Sequence, residues 1–112
     1  MDCDSTCELS KRMAEVFKAL GDANRMYLIY LLASDGKERI CVTELAEQLG
    51  ISQPAVSRHL STLKHAGIVK SEKDGNRIYY TFDREAMVRY KANIDLLFGN
   101  VMQKCDRLEK RG

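Results

Sequence analysis

The chain has 112 residues, 45% hydrophobic and 30% charged, with 18 Lys and Arg against 16 Asp and Glu. That length and composition predict one globular domain with a modest core, and exclude a disordered or fibrous chain. No apolar run approaches the roughly 20 residues of a membrane span and no secretory leader is visible. The sequence therefore predicts a cytoplasmic protein with no membrane partner, whose four cysteines serve as thiols, ligands or redox switches rather than as a disulfide frame.

Charge is unevenly spread. Residues 1–50 carry 6 basic and 9 acidic groups, residues 51–82 carry 5 and 2, and residues 83–112 carry 7 and 5. The positive excess lies in the second half of the chain, a local bias that suits a polyanionic partner better than the net charge of +2 would suggest.

Residues 1–9 are polar and read as a flexible segment holding Cys3 and Cys7. Residues 10–20 read as a helix with Met13, Val16, Phe17 and Leu20 on one side, broken by Gly21. Asp22 or Asn24 can cap a second helix, apolar nearly all round, which predicts the buried centre of the domain; Gly36 ends it. Residues 37–42 read as a short connection.

Residues 43–67, TELAEQLGISQPAVSRHLSTLKHAG, organise the chain. Thr43 can cap a helix whose first turn holds Glu44 and Glu47, and Leu45 and Leu49 form its buried stripe. Gly50 supplies a left-handed ending and Ile51 plugs the corner. Ser52 caps a second helix that tolerates Pro54 in its first turn and places Val56, Leu60 and Leu63 on one apolar face. The pattern is a helix-turn-helix.

With that apolar face inward, Pro54, Arg58, Ser61, Thr62 and His65 face outward, flanked by Gln53 and Ser57. None is acidic, so the face can enter a major groove without repelling phosphate. Gln and Arg can read adenine and guanine edges bidentately. His59 borders the apolar face, where packing and base contact remain alternatives. Residues 68–71 and 77–82 read as strands around Asp74-Gly75-Asn76, a β-hairpin with basic Lys73 and Arg77 near its tip. Such a hairpin can be a wing that reaches the DNA backbone or minor groove.

Residues 84–110 read as one long helix, with Met87, Tyr90, Ile94, Leu97, Val101, Cys105 and Leu108 at spacings of three and four. Its length would be about 40 Å, against about 30 Å for a globule of this size. One copy cannot bury such a stripe, which predicts a homodimer through this helix. A dimer also presents two reading helices to successive major grooves of an imperfect inverted repeat in double-stranded DNA.

The chain resembles the ArsR/SmtB family of metal-responsive repressors over residues 10–108, most specifically in FKALGDANRMYLIYLL, ICVTELAEQLGISQPAVSRHLSTLKHAGIV and GNRIYYTF. The resemblance implies a mostly α fold with a small β-hairpin wing, a single winged helix-turn-helix domain over 1–112, and a homodimer. It also implies a repressor that needs no cofactor to bind its operator and is released by an effector. Its DNA-reading positions fall on Gln53, Ser57 and Arg58, with His59 beside them; Ser61, Lys73 and Arg77 complete the DNA-facing set read from the pattern.

Many members carry a thiolate box where this chain has RICVTELA, so Cys41 keeps the first cysteine while Thr43 and Ala46 stand at the other two places. The resemblance allows Cys3 and Cys7 to join Cys41 in a three-thiolate site. Three thiolates suit As(III), Sb(III) or Pb(II), while Cd(II) or Zn(II) would want a fourth ligand. Cys41 precedes a helix N-terminus, which favours thiolate and suits oxidation equally. The alternative reading is thus a repressor switched by disulfide formation. Cys105 lies on the apolar stripe, either as a packed thiol or as an alternative switch. An enzyme is not predicted: there is no phosphate loop or HExxH, and both histidines fall on the recognition helix.

Overall fold

The computed structural model describes residues 3–34 and 40–111, with side chains over residues 6–33 and 40–108. Helix α1 (Cys3–Leu20) leads into α2 (Ala23–Ser34). Strand β1 (Ile40–Cys41) runs straight into α3 (Val42–Leu49), followed by α4 (Gln53–His65). Strands β2 (Val69–Asp74) and β3 (Arg77–Phe82) form the hairpin, and α5 (Arg84–Arg111) closes the chain. The core gathers Met13, Leu28, Ile40, Leu45, Val56, Leu60, Leu63 and Ile68, all fully buried. This is a winged helix-turn-helix.

The turn elements follow the glycines and caps. Gly50 adopts φ 69° and its N–H reaches Ala46 O at 2.9 Å, ending α3. Ser52 accepts from the Ala55 N–H at 3.2 Å and starts α4. After α4, Gly67 at φ 78° lets Ile68 N–H return to Leu63 O at 3.0 Å, so the chain leaves the helix directly into β2. The Tyr90 hydroxyl of α5 donates to Ala66 O at the same corner. Asp83 starts α5 by accepting from the Ala86 N–H at 3.1 Å.

Several boundaries differ from the sequence reading. Helix α1 begins at Cys3, so most of the segment expected to be flexible is helical, and Leu9 is buried within the core. Helix α3 begins at Val42 with Cys41 as its N-cap residue, not Thr43, because the preceding strand delivers an extended Cys41 (φ −93°, ψ 163°) directly to the helix. Part of the expected connection is strand β1, which pairs antiparallel with β3 in the order β1-β3-β2, Ile40 opposite Tyr80 and Cys41 opposite Tyr79. Residues 35–39, with the expected helix end at Gly36, lie outside the described residues.

Strand β2 extends to Asp74, opposite Arg77, leaving Gly75 and Asn76 as a two-residue turn with Gly75 at φ 64°. Helix α2 is not buried all round. Leu28, Leu31 and Leu32 are buried, while Met26, Tyr27 and Tyr30 are exposed, the two tyrosine rings stacked at 6.2 Å.

Helix α5 divides in two. Ala86 is buried, and Met87, Tyr90, Ile94 and Leu97 pack on the subunit's own core. Beyond them Phe98, Val101, Met102 and Leu108 are exposed, as is Cys105. Helix α1 packs along α5, with the Phe17 and Phe98 rings 6.4 Å apart. The helix stretches the molecule to 61 Å, against 24 Å in the other two directions.

Candidate nucleic-acid interface and thiol site

Helix α4 presents Gln53, Ser57, Arg58 and Ser61 as exposed side chains, with Pro54, Thr62 and His65 on the same side and no acidic residue among them. The Thr62 hydroxyl donates to Arg58 O at 3.1 Å and stays on its own helix. His59 differs: it is half-buried, and its Nδ1 lies 3.3 Å from Arg25 Nη1. Its ring is turned to the inner flank of α4, which favours the packing alternative over base contact.

Lys73 and Arg77 are both exposed on the hairpin. Lys73 pairs with Ile78 and Arg77 with Asp74. Paired residues share a face and neighbours alternate, so the two cations project from opposite faces of the wing. Arg77 lines a cleft of about 450 Å³ between α3, α4 and the wing, together with Cys41, Glu44, Glu47, Gln53, Ser57 and Asn76. The N-terminal end of α4 and the cysteine at the head of α3 therefore share one cleft.

Cys41 is buried, and its thiol donates to Glu44 Oε1 at 3.5 Å. A thiol and a carboxylate one helical turn apart offer one soft and one hard donor; a cation held there would displace the thiol proton to solvent. Cys7 and Cys105 are exposed free thiols, so Cys105 is not packed within one subunit. Cys3 starts α1, but its side chain lies outside the described residues. Among the described residues no group of three or more His, Cys, Asp or Glu side chains could hold a metal. Cys7 and Cys41 thus belong to no such group among the described residues, and the expected part of Cys3 in the site lies outside them.

Sequence reasoning missed Arg25 and Glu44. Glu44 had a visible signal, three residues after Cys41 on a predicted helix. Arg25 had none, because its partner His59 lies 34 positions away.

The arrangement of helix-turn-helix, acid-free reading face and basic hairpin defines a DNA-binding winged-helix protein of the regulator class. Residues 22–71 match the family described as bacterial regulatory protein, arsR family. The chain is 43% identical over 77 residues to an HTH-type transcriptional regulator of Methanocaldococcus jannaschii, covering 68% of this chain and 84% of that protein. It is 40% identical to a cadmium resistance regulatory protein CadC homolog of Staphylococcus aureus (65% of this chain, 59% of that one). It is 41% identical to the arsenic resistance regulator ArsR1 of Pseudomonas putida (62% and 53%). The chain thus spans little more than half the length of these last two relatives.

Among solved structures, an ArsR-like regulator from Rhodococcus sp. RHA1 shares the fold at a TM-score of 0.76 and 23% identity, covering 92% of this chain and 94% of that one. A homodimeric winged helix-turn-helix DNA-binding domain from Mycobacterium bovis superposes with a TM-score of 0.67 at 27% identity, covering 88% and 89%. This chain belongs to the ArsR/SmtB family of transcriptional regulators. Its relatives and structural neighbours are regulators, not enzymes, and no described helix is long and apolar enough to cross a membrane.

Proposed function

We propose that the chain is a cytoplasmic homodimeric repressor. It grips an imperfect inverted repeat through α4 and the wing, and releases it when a soft metal or metalloid binds at Cys41. The observation that carries this reading is the shared cleft: Cys41 and Glu44 line the same 450 Å³ space as Gln53, Ser57 and Arg77. Gln53, Ser57, Arg58 and Ser61 face the bases, Lys73 reaches the backbone, and Arg77 approaches the DNA from the opposite face of the wing, beside Gln53 and Ser57. An ion on Cys41 introduces charge and bulk beside the reading helix and works on the joint between wing and α3.

Cys3 and Cys7 complete the thiolate set, brought to Cys41 from the second copy, and the dimer forms through α5. The exposed face of Phe98, Val101, Met102, Cys105 and Leu108 gives that contact its apolar area. Relatives named for cadmium and arsenic resistance support Cd(II) or As(III) as effectors, and the affinity of thiolates for soft ions extends the set to Sb(III) and Zn(II); DNA binding itself needs no metal. A redox reading has its own observation, since Cys7 and Cys105 are exposed thiols on two helices that pack together. An oxidant reaches them more readily than buried Cys41.

The test is operator binding. An operator is selected from random DNA with the reduced protein, then titrated with As(III), Cd(II), Zn(II) and peroxide. Release by a metal at concentrations that leave the thiols reduced supports the first reading. Release by peroxide alone supports the second, and failure to select any DNA removes both.

A further inference from the structure

The junction of α1, α2 and α4 holds a relay that no part of the reading face accounts for. Arg25 stands in the first turn of α2, where the Asp22 carboxylate accepts from the backbone N–H groups of Asn24 at 2.9 Å and Arg25 at 3.1 Å. The guanidinium then serves two other helices. Nε donates to Ala19 O at 2.5 Å and Nη2 to Lys18 O at 3.3 Å, taking carbonyls of the last turn of α1 that have no partner within their own helix. Nη1 faces His59 Nδ1 on α4 at 3.3 Å. A guanidinium only donates, so this contact is a hydrogen bond in the tautomer that leaves Nδ1 free to accept.

We propose that Arg25 and His59 are positioning residues for DNA reading: they tie the recognition helix to the C-terminal end of α1. The planar fork of Arg can hold three acceptors in fixed directions, which a flexible ammonium cannot do. Helix α1 packs along α5 and carries Phe17 against Phe98, the start of the exposed apolar face. The relay therefore runs from the layer where two copies would meet, through two α1 carbonyls and one guanidinium, to the inner flank of α4. It sets the angle at which Gln53, Ser57 and Arg58 are presented, without touching DNA. The inference rests on the DNA-binding reading above.

The experiment compares affinity for the selected operator with affinity for random-sequence duplex in wild type, His59→Ala, His59→Asn, Arg25→Gln and the double variant Arg25→Gln/His59→Ala. Loss of one buried-side hydrogen bond should lower the operator-to-random ratio about fivefold in His59→Ala. His59→Asn carries an acceptor oxygen where Nδ1 sat and should keep the ratio within about twofold of wild type. Arg25→Gln should lower the ratio as well, and adding His59→Ala should cost nothing further, because the two groups act as one unit.

An unchanged ratio in His59→Ala overturns the relay. So does a change of preferred sequence in both His59 variants, which would make His59 a base reader. Equal loss on operator and random DNA in Arg25→Gln, with a flatter salt dependence, overturns it too, because Arg25 would then be a phosphate contact. If Arg25→Gln does not fold, the His59 pair decides alone. Failure of wild type to select any DNA removes the DNA-binding reading and the relay together, whereas selection with an unchanged His59→Ala ratio removes only the relay.

Discussion

Cys41 and Tyr79 face each other across β1 and β3, so the residue that heads helix α3 is also stitched into the wing. Cys41 thus belongs to two elements at once, β1 and the cap of α3. A bond formed at the Cys41 thiol acts on the helix that supports α4 and on the hairpin beside it. Coupling between effector and DNA in such systems is usually about 1–3 kcal/mol. Cys41→Ser should bind the operator normally and fail to release it on effector addition. Cys3→Ser and Cys7→Ser should weaken the response, and Cys105→Ser should leave it intact. An anisotropy titration of the four reduced variants checks this, and a Cys41→Ser protein that still lets go at the wild-type concentration sinks the site.

Arg58 is the cation on the exposed face of α4 before the last turn. Its replacement by Ala should weaken operator binding by about 1–3 kcal/mol and relax sequence choice at one position of each half-site. Competition with operators altered base by base reads both effects.

Lys73 and Arg77 project from opposite faces of the hairpin, so their roles should separate. Lys73→Ala should weaken operator and random DNA alike and reduce the salt slope by about 1. Arg77 lines the cleft with Gln53 and Ser57, so Arg77→Ala should cost operator affinity more than random affinity. Salt titrations on both duplexes distinguish the two variants, and identical behaviour would place both cations on backbone.

The apolar stripe of α5 was read from the sequence as one dimer seam, with Ile94 within it. Ile94 is half-buried, with part of its side chain against the core of its own subunit. Ile94→Asp should therefore destabilise the protomer as well as weaken pairing, by setting an unpaired charge against the core. Leu108→Asp and Val101→Asp, on the exposed part, should leave a folded protomer and abolish pairing. Sedimentation combined with circular dichroism separates the outcomes, and an intact dimer in both exposed-face variants would move the interface elsewhere.

The Asp22 carboxyl is held below the ordinary aspartate value, chiefly by the Arg25 backbone N–H, with the Asn24 N–H and the nearby Arg25 guanidinium adding to it, against the opposing effect of desolvation. Because the folded value is the lower one, this group contributes stability that is complete above the unfolded value of about 3.9 and is lost as pH falls through the folded value. Asp22→Asn keeps a capping oxygen but cannot ionise. Its stability deficit relative to wild type should be present at neutral pH and vanish in acid. Thermal melts of both proteins across that range check it, and a deficit that persists in acid would mean the charge is not the cause.

The helix-turn-helix was legible because each device in it is local. Gly50, Ser52 and the Val56, Leu60, Leu63 stripe lie within one or two turns of what they control. Strand β1 was not, since two residues carry no period and its partner Tyr79 lies far along the chain. The exposed Met26, Tyr27 and Tyr30 misled for another reason: an apolar residue reports a preference for burial, not whether the domain has a neighbour to provide it. The Arg25–His59 contact joins distant positions and leaves no spacing to read. For the cysteines, the sequence supplied the donor chemistry, while the structure shows Cys41 beside Glu44 and Cys7 and Cys105 exposed.

Helix α5 packs on the core over Ala86 to Leu97, and its C-terminal arm carries the exposed Val101, Met102 and Leu108, which makes it a lever with its fulcrum against the core. The Tyr90 hydroxyl, near the fulcrum, holds the Ala66 carbonyl just past the end of α4. The arm of about 14 residues from Phe98 reaches about 20 Å beyond that point. A small rotation at the fulcrum therefore becomes a much larger sweep at the tip, and constraint of the tip is felt at Tyr90 with mechanical advantage. Tethering the last two turns of α5 would stiffen the recognition helix from its far end, with no change to any residue on the DNA side.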